Sequence, residues 1–433
     1  MVAIEKLFKL QAHGTTVRTE LVAGLTTFLT MAYIVFVNPS ILADAGMPRD
    51  AVFVATCLIA ALGSLIMGLY ANYPIALAPG MGLNSYFAYV VVKGMGFSWQ
   101  VALGAVFISG CLFLVVTLFR LRELIIRGIP HALRSAITVG IGLFLAIIAL
   151  KSAGIVAASP DTFVTLGDLH SPTVVLAVLG FFLIAVLDRR RVPGAILIGI
   201  LAVTLLSFAF GGNTFGGVFA LPPSIAPTFL QLDIMGALSG GILNVVLVFF
   251  VIELFDATGT LMGVATRAGL LKEGKMDRLN KALLADSGAI VAGSLLGTSS
   301  ATAYIESAAG VQAGGRTGLT AVTVAVLFLA CLLISPLAGT VPAYATAPAL
   351  FFVACLMLRE LTELDWDDST EVIPAAVTAL TMPFTYSIAN GLAFGFITYA
   401  VLKAGTGRAR EVHPMVWVIA AVFLFKFIYI GGH

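Results

Sequence analysis

Charged residues are scarce in this chain of 433 residues, since Asp, Glu, Lys and Arg make up only 11% of it. A soluble globular protein carries about 25% charged residues. A disordered protein needs low hydrophobicity, whereas 60% of these residues are hydrophobic. Both classes are excluded, and the composition indicates a polytopic membrane protein. One spanning helix takes about 20 apolar residues, so the chain has room for about a dozen spans.

The features that usually mark an enzyme or a metal site are also missing. The four cysteines all lie in apolar segments without a CxxC pair: Cys57, Cys111, Cys331 and Cys355. They predict small buried side chains, and no disulfide, metal or cofactor is implied. The chain has neither an HExxH motif nor a nucleophile elbow, so nothing supports a membrane-embedded enzyme. The net charge of +2 gives no reason to expect a nucleic acid partner.

Fifteen apolar segments can be separated along the chain. They lie near 21–42, 51–70, 73–92, 101–119, 134–150, 172–187, 192–210, 237–265, 282–297, 303–313, 318–335, 344–358, 371–383, 386–402 and 414–430. The first fourteen predict fourteen spans in an all-α protein. The segment 414–430 either lies in the interface or crosses once more. Those around 73–92 and 303–313 are interrupted by Pro, Gly or polar residues.

The distribution of basic residues supports this division. If the N-terminus is cytoplasmic, the cytoplasmic loops receive Arg120, Arg122, Arg127, Arg134, Arg189, Arg190, Arg191, Arg267, Lys272, Lys275, Arg278, Lys281, Arg316, Lys403, Arg408 and Arg410. The opposite loops, 211–235 and 336–343, contain neither Lys nor Arg. Because the first 20 residues contain several charges, we expect no cleavable signal peptide.

The two interrupted segments belong to an internal repeat. When 55–80 is aligned with 285–310 without gaps, eight of 26 positions are identical, among them Gly63-Ser64-Leu65 and Gly293-Ser294-Leu295. The repeat begins at span 2 in one half and at span 9 in the other. Seven spans is an odd number, so the halves are expected to have inverted orientations. Inverted repeats with broken helices at matching positions are typical of secondary transporters, and the breaks indicate the binding site.

Three ionisable residues inside the spans are the strongest indication of a site, since such residues are costly in lipid. Glu253 and Asp256 are three positions apart in span 8 and share a helix face, and Glu306 lies at the second break. Two close carboxylates in an apolar interior cannot both ionise easily, so one of them can carry a proton. The alternative is that these acids cap main-chain N–H groups at the helix breaks.

Several other side chains are weaker candidates. Asn84 carries a donor and an acceptor that suit a nucleobase edge, or it caps a half-helix. Thr260 either adds a polar contact or bonds to its own helix. Five aromatic residues can stack on a planar ligand or pack in the core: Phe28, Tyr33, Phe87, Tyr89 and Tyr304.

At these motifs the chain resembles the AzgA-like adenine/guanine/hypoxanthine permeases. This is a branch of the nucleobase–cation symporter (nucleobase/ascorbate transporter) superfamily, which includes uracil and xanthine carriers. The matching stretches cover nearly the whole chain: 24–33 (GLTTFLTMAY), 76–84 (ALAPGMGLN), 253–260 (ELFDATGT), 304–310 (YIESAAG), 315–319 (GRTGL) and 344–349 (YATAPA).

The resemblance implies a seven-plus-seven inverted repeat of fourteen spans. A core domain would comprise 1–119 and 237–335, and a gate domain 134–210 and 344–402, followed by a C-terminal tail, 403–433. Two short strands in the broken spans 3 and 10 would meet at the centre. Related carriers are often homodimers packed through their gate domains. The expected location is a bacterial inner membrane.

The resemblance also implies a site and an activity. The substrate-binding positions would be Glu306, Asp256, Glu253, Asn84, Ser307, Ala76 and Thr260. The three acids would also couple protons to the import of adenine, guanine or hypoxanthine. It stays open which of Glu253 and Asp256 contacts the base, which purine is preferred, and whether sodium replaces the proton.

The main rival is a carrier of the same fold for another substrate, such as an anion, a pyrimidine or xanthine. An anion site should offer a positive charge or bare helix N-termini. The three intramembrane carboxylates, with no Lys or Arg at the breaks, argue against an anion. A passive channel is a further alternative, but inverted repeats with two broken spans favour alternating access.

Overall fold

The computed structural model describes residues 2–119, 129–239, 242–267, 270–272 and 275–429. Its helices are α1 (Val2–Phe8), α2 (Val17–Met31), α3 (Ile34–Asp44), α4 (Arg49–Ile66), α5 (Met81–Ser85), α6 (Trp99–Leu118), α7 (His131–Ser152), α8 (Pro172–Arg189), α9 (Ala195–Phe210), α10 (Ile234–Leu238), α11 (Leu243–Arg267), α12 (Leu279–Leu296), α13 (Ser307–Gln312), α14 (Gly318–Cys331), α15 (Ser335–Thr340), α16 (Ala343–Met357), α17 (Ser369–Phe384), α18 (Ile388–Gly405) and α19 (Pro414–Tyr429). Its strands are β1 (Leu77–Pro79), β2 (Val156–Ser159), β3 (Phe163–Leu166), β4 (Leu271–Lys272), β5 (Lys275–Met276) and β6 (Ala301–Ala303).

The helices confirm the predicted class of a multi-pass, mostly helical membrane protein. Among the described residues, nine helical stretches are long and apolar enough to span a membrane. Every predicted apolar segment contains helix, and the first one is divided into α2 and α3 at Ala32 and Tyr33. Some of the predicted cytoplasmic charges lie outside the part that the structure describes: Arg120, Arg122 and Arg127 entirely, and the side chains of Arg267, Lys272 and Lys275.

The chain divides into two compact units. The first comprises Met1–Leu118, Ala153–Ile155 and Leu166–Ala349, and the second comprises Phe119–Ser152, Val156–Thr165 and Leu350–His433. The first unit contains both interrupted segments and all the predicted site residues. It also contains α8 and α9, which the resemblance assigns to the gate domain. The division into core and gate domains stays a prediction.

The two interrupted segments form a pair of strands inside the first unit. Strand β1 pairs with β6 in antiparallel register, with Leu77 opposite Ala303 and Pro79 opposite Ala301. Proline disfavours the interior of a helix, and the first interrupted segment contains Pro74 shortly before β1 and Pro79 at its end. All six strand residues are buried. The predicted strands in broken spans 3 and 10 are therefore confirmed, and they lie against each other.

The structure corrects the register of the repeat. The ungapped alignment places Gly63-Ser64-Leu65 against Gly293-Ser294-Leu295, 230 positions apart. The two strands are separated by fewer positions along the chain than the helices, because β1 begins at Leu77 and β6 begins at Ala301, 224 positions later. In the first half, α4 continues as a π-helix over Met67–Ala71, whereas α12 ends at Leu296. The halves therefore match only if a gap follows the helices.

Small residues allow helices of the first unit to approach closely. The N-terminus of α14 lies against the π-helical turn, where the Gly318 N–H donates to Asn72 Oδ1 at 2.7 Å. A Cβ atom at Gly318 would collide with the Gly68 carbonyl oxygen. The buried Glu20 carboxylate caps the same helix by accepting from the main-chain N–H of Thr320 at 3.2 Å and from its hydroxyl at 2.6 Å. This contact holds the first span of the first repeat against the second repeat.

A cluster of ion pairs closes one end of the second unit. The Lys403 ammonium group, only 1% exposed, lies 2.7 Å from Glu371, 3.3 Å from Glu411 and 3.8 Å from Asp368. Arg408 pairs with Asp368 at 2.7 Å and with Glu411 at 2.8 Å. The hydrogen bond from Arg408 holds the pKa of the Glu411 carboxyl below its usual value. The cluster joins the ends of α17 and α18 to the segment that leads into α19.

We predict that Gly318→Ala lowers the thermal unfolding midpoint of the purified protein, because the added methyl group overpacks the contact with Gly68. Overpacking of this kind costs about 1–3 kcal/mol. Gly288→Ala, inside α12, is the matched control, since its Cβ would meet no atom within 4 Å. Equal unfolding midpoints for the two variants in a fluorescence melt would contradict the described packing.

Candidate functional site

The strand pair of β1 and β6 is tied together beyond its own hydrogen bonds. At one end the Gly80 N–H donates to the Ser300 carbonyl at 2.9 Å, and at the other the Tyr304 N–H donates to the Ala76 carbonyl at 3.0 Å. The Tyr304 hydroxyl crosses the pair and donates to the Pro79 carbonyl at 2.6 Å. Each strand ends where a short helix begins, α5 after Gly80 and α13 after Glu306.

Glu306 lies half-buried at the start of α13. Its carboxylate accepts a hydrogen bond from the Tyr33 hydroxyl at 2.5 Å, and the Thr30 hydroxyl oxygen lies 3.4 Å from its carbonyl oxygen. Tyr33 lies at the interruption between α2 and α3, so the breaks of two segments meet at this carboxylate. A charge-assisted hydrogen bond of this kind fixes the direction of the acid.

Asp256 lies half-buried on α11, a helix that contacts both β6 and α13. Gly80 packs closely against Thr302 beside this acid: a Cβ atom added at Gly80 would lie only 2.9 Å from Thr302 Cγ2, which is too close, and 3.8 Å from Asp256 Oδ2. Asp256 and Glu306 both interact electrostatically with Tyr304. The structure therefore gathers two acids from distant parts of the chain around the strand pair.

Glu253 has different surroundings, although it lies one turn from Asp256 on the same helix. It is only 1% exposed, and its carboxylate accepts a hydrogen bond from Ser109 of α6 at 2.8 Å. Neighbouring aromatic rings of the same two helices, Phe113 and Phe250, pack edge to face beside it. Of the two acids in span 8, Asp256 is only half-buried, whereas Glu253 is fully buried.

The remaining predicted residues lie near the strand pair and differ in their burial and hydrogen bonds. Ala76 is buried, and its N–H donates to the Ser307 hydroxyl at 3.0 Å, so both residues serve to join the two breaks. Asn84 is buried one turn into the helix after Gly80, and its amide nitrogen donates to Asn38 at 2.6 Å. Thr260 is half-buried, four positions after Asp256.

Among the aromatic candidates, Tyr33 and Tyr304 reach the site through their hydroxyl groups. Phe28 packs edge to face on Phe328, and Phe87 is fully buried. The Tyr89 hydroxyl donates to Asp44 at 2.8 Å. The sequence identified Tyr33 only as a ring for stacking, because nothing local shows that its hydroxyl meets an acid 273 positions away.

Asn38 is a buried polar residue that the sequence analysis did not single out. Its side chain contacts Thr56, Asn84 and Thr298, so it connects three separate segments. An amide inside the apolar segment 21–42, directly before Pro39, was a signal that could have found it.

The arrangement places hydrogen-bond acceptors beside a buried strand pair. Two half-buried carboxylates, Asp256 and Glu306, can accept hydrogen bonds from a ligand and can also accept a proton. Such a site suits a neutral ligand that carries N–H donors, while an anion would be repelled by the two carboxylates.

Comparison with known proteins identifies the family. A family model described as a permease family matches residues 18–424. The adenine permease AdeP of Escherichia coli is 51% identical over 99% of this chain and 97% of its own length. The guanine/hypoxanthine permease PbuO of Bacillus subtilis is 46% identical over 97% of this chain and 99% of its own. The chain belongs to this permease family and is a transporter rather than an enzyme.

A solved structure shares the fold. The transmembrane domain of the cyanobacterium bicarbonate transporter BicA matches with a TM-score of 0.63 over 87% of this chain and 96% of that one, at 18% identity. At this identity the likeness concerns the fold alone. It confirms the seven-plus-seven inverted repeat that was expected from the sequence.

We predict that Ser109→Ala lowers the thermal unfolding midpoint, because the buried Glu253 carboxylate loses a hydrogen-bond donor. Removing one partner of a buried polar group costs about 1–3 kcal/mol. The matched control is Ser294→Ala, which removes an equally buried hydroxyl that bonds to the Val291 carbonyl of its own helix at 2.8 Å. If both variants unfold at the same temperature, Glu253 does not depend on the contact with α6.

Proposed function

We propose that this member of the permease family is a secondary active transporter that imports the purine nucleobases adenine, guanine and hypoxanthine together with protons. The observation that carries the proposal is the pair of half-buried carboxylates, Asp256 and Glu306, beside the strand pair. No Lys or Arg occurs in the interrupted segments 73–92 and 303–313 that would neutralise them. The relatives named as adenine and as guanine/hypoxanthine permeases support the same substrate class.

The base would bind through its own donors. Every one of these purines carries a ring N–H, and adenine and guanine add an amino group, whereas ionised carboxylates only accept. Glu306, held by Tyr33, and Asp256, close to Gly80, would accept these hydrogen bonds. Asn84 and Thr260 would add polar contacts. Ser307 and Ala76 would support the site from below the strand pair. The hydrogen bond from the Ala76 N–H to the Ser307 hydroxyl joins the two breaks.

Proton coupling would follow from the same acids. The three purines are neutral at pH 7, so cotransport with one proton moves one positive charge inward. A carboxylate in an apolar interior takes up a proton more readily than one in water. We assign this role to Asp256 and Glu306. Glu253 would take part in coupling without touching the base, because α6 covers its carboxylate.

The movement and location of the protein belong to the same proposal. Binding at the strand pair would stabilise a state in which the core domain, 1–119 and 237–335, moves against the gate domain, 134–210 and 344–402. The protein would lie in a bacterial inner membrane with a cytoplasmic N-terminus, as the basic loops indicate. A homodimer would pack through its gate domains.

The test is uptake of radiolabelled adenine, guanine and hypoxanthine into cells that lack their own purine carriers. We expect saturable uptake that a protonophore abolishes. Asp256→Asn and Glu306→Gln should each reduce it at least tenfold, because an amide cannot take the proton and offers one acceptor instead of two. The matched controls Asp161→Asn and Glu363→Gln change exposed residues and should transport as the wild type does.

Three outcomes would count against the proposal. Uptake that persists with the protonophore but needs sodium would overturn proton coupling and leave the substrate class intact. Normal uptake by both site variants would remove the two acids from the mechanism. Absence of purine uptake by a wild-type protein that reaches the membrane would direct attention to other substrates of the same fold, such as anions.

A further inference from the structure

A chain of buried side-chain hydrogen bonds leads from α4 to the site. The Thr56 hydroxyl donates to the Val52 carbonyl of its own helix at 2.6 Å. The Asn38 amide nitrogen lies 2.7 Å from Thr56 Oγ1 and 2.9 Å from Thr298 Oγ1. The Asn38 oxygen accepts from the Asn84 amide nitrogen at 2.6 Å. All four polar side chains, of residues 38, 56, 84 and 298, are 0% exposed.

The direction of these bonds is determined by chemistry. A hydroxyl has one hydrogen, and a main-chain carbonyl can only accept. Thr56 therefore donates its only hydroxyl hydrogen to the Val52 carbonyl. Toward Asn38, Thr56 can therefore only accept, and the group that faces it must be the NH₂ of Asn38. The Asn38 oxygen then faces the other way, toward Asn84. Only the NH₂ of Asn84 can donate to it.

The consequence is that the Asn84 amide is held in one of its two orientations. Its nitrogen is engaged by Asn38, while its oxygen has no hydrogen-bond partner among the described residues although it is buried. A buried acceptor without a partner costs about 1–3 kcal/mol, so a donor outside the protein is expected to meet it. Asn84 follows Gly80 by one turn, and the Asn84 N–H donates to the Gly80 carbonyl at 2.9 Å.

We propose that Thr56 and Asn38 are positioning residues, which hold the Asn84 amide so that it presents an oxygen to the transported base. This inference rests on the proposed function, since it assigns the missing donor to the base. It makes Asn84 a third acceptor beside Asp256 and Glu306. The site would then prefer an amino group over an oxo group at the ring position that faces Asn84. Thr56 and Asn38 would set this preference without touching the base.

Thr56→Val tests the first link, because valine has the same shape as threonine but cannot accept from Asn38. The Asn38 amide can then turn over, accept from the Thr298 hydroxyl and donate to the Asn84 oxygen. Asn84 would present its NH₂ to the base instead. Thr56→Ser is the matched control, since serine keeps the hydroxyl and its bond to Val52.

The measurement is competition by unlabelled bases against a radiolabelled purine on the purified full-length protein. The bases are compared in pairs that exchange an amino for an oxo group: adenine with hypoxanthine at one ring position, and guanine with xanthine at another. We expect Thr56→Val to shift the amino-to-oxo ratio of inhibition constants at least fivefold toward the oxo base in one pair. Thr56→Ser should leave both ratios within twofold of the wild type.

A second pair of variants covers the case in which Thr56→Val does not fold. Asn38→Leu removes the acceptor for Asn84 and should shift the ratio in the same direction. Asn38→Asp retains an acceptor and should preserve it. The inference is overturned if all bases weaken equally in the variants, or if no ratio changes, since a merely structural contact or a bound water would behave in this way. If the wild type binds none of the bases, the proposed function itself fails, and the inference with it.

Discussion

Main-chain N–H and C=O groups that leave a helix inside an apolar protein interior must find partners other than water. In this permease, two segments leave the helix, and each satisfies the other through the pairing of β1 with β6. Each strand consists of three buried residues, and the main-chain groups of these residues find hydrogen-bond partners in the other strand. The meeting of the two repeats is thus required by hydrogen bonding, and everything placed at the ends of the strands is brought together as a result.

The three acids have different surroundings in the structure. Glu253 and Asp256 are on one helix, but α6 lies over Glu253 and supplies a hydroxyl to it, while Asp256 remains half-buried near Gly80. Glu306 comes from the other break and is oriented by Tyr33. An apolar interior tolerates such groups only when each is hydrogen-bonded or within reach of a ligand or a proton.

Small residues and buried amides shape the surroundings of the strand pair in complementary ways. Gly80 lets the main chain lie close to Thr302, and the contact between Gly318 and Gly68 lets a helix end approach a π-helical turn without intervening side chains. The amides of Asn38 and Asn84 provide direction, because the donor and acceptor ends of an amide are not interchangeable once a neighbour such as Thr56 has used its hydrogen. In this network the amide nitrogen of Asn84 is hydrogen-bonded, and its oxygen is the atom left for the proposed ligand.

The sequence by itself determined the class of protein, the positions of the apolar segments, the two breaks, the three acids and the family resemblance. These follow from local properties: hydropathy, Pro and Gly within a span, and charge where charge is costly. Only the tertiary structure decided that Asp256 is half-buried while Glu253 is fully buried, that Tyr33 holds Glu306, and that the strands are offset from the helical repeat. The partners in these contacts are far apart in the chain, by 144 positions for Ser109 and Glu253 and by 273 for Tyr33 and Glu306. No local pattern records such a contact, because it exists only once the strand pair has joined the two repeats.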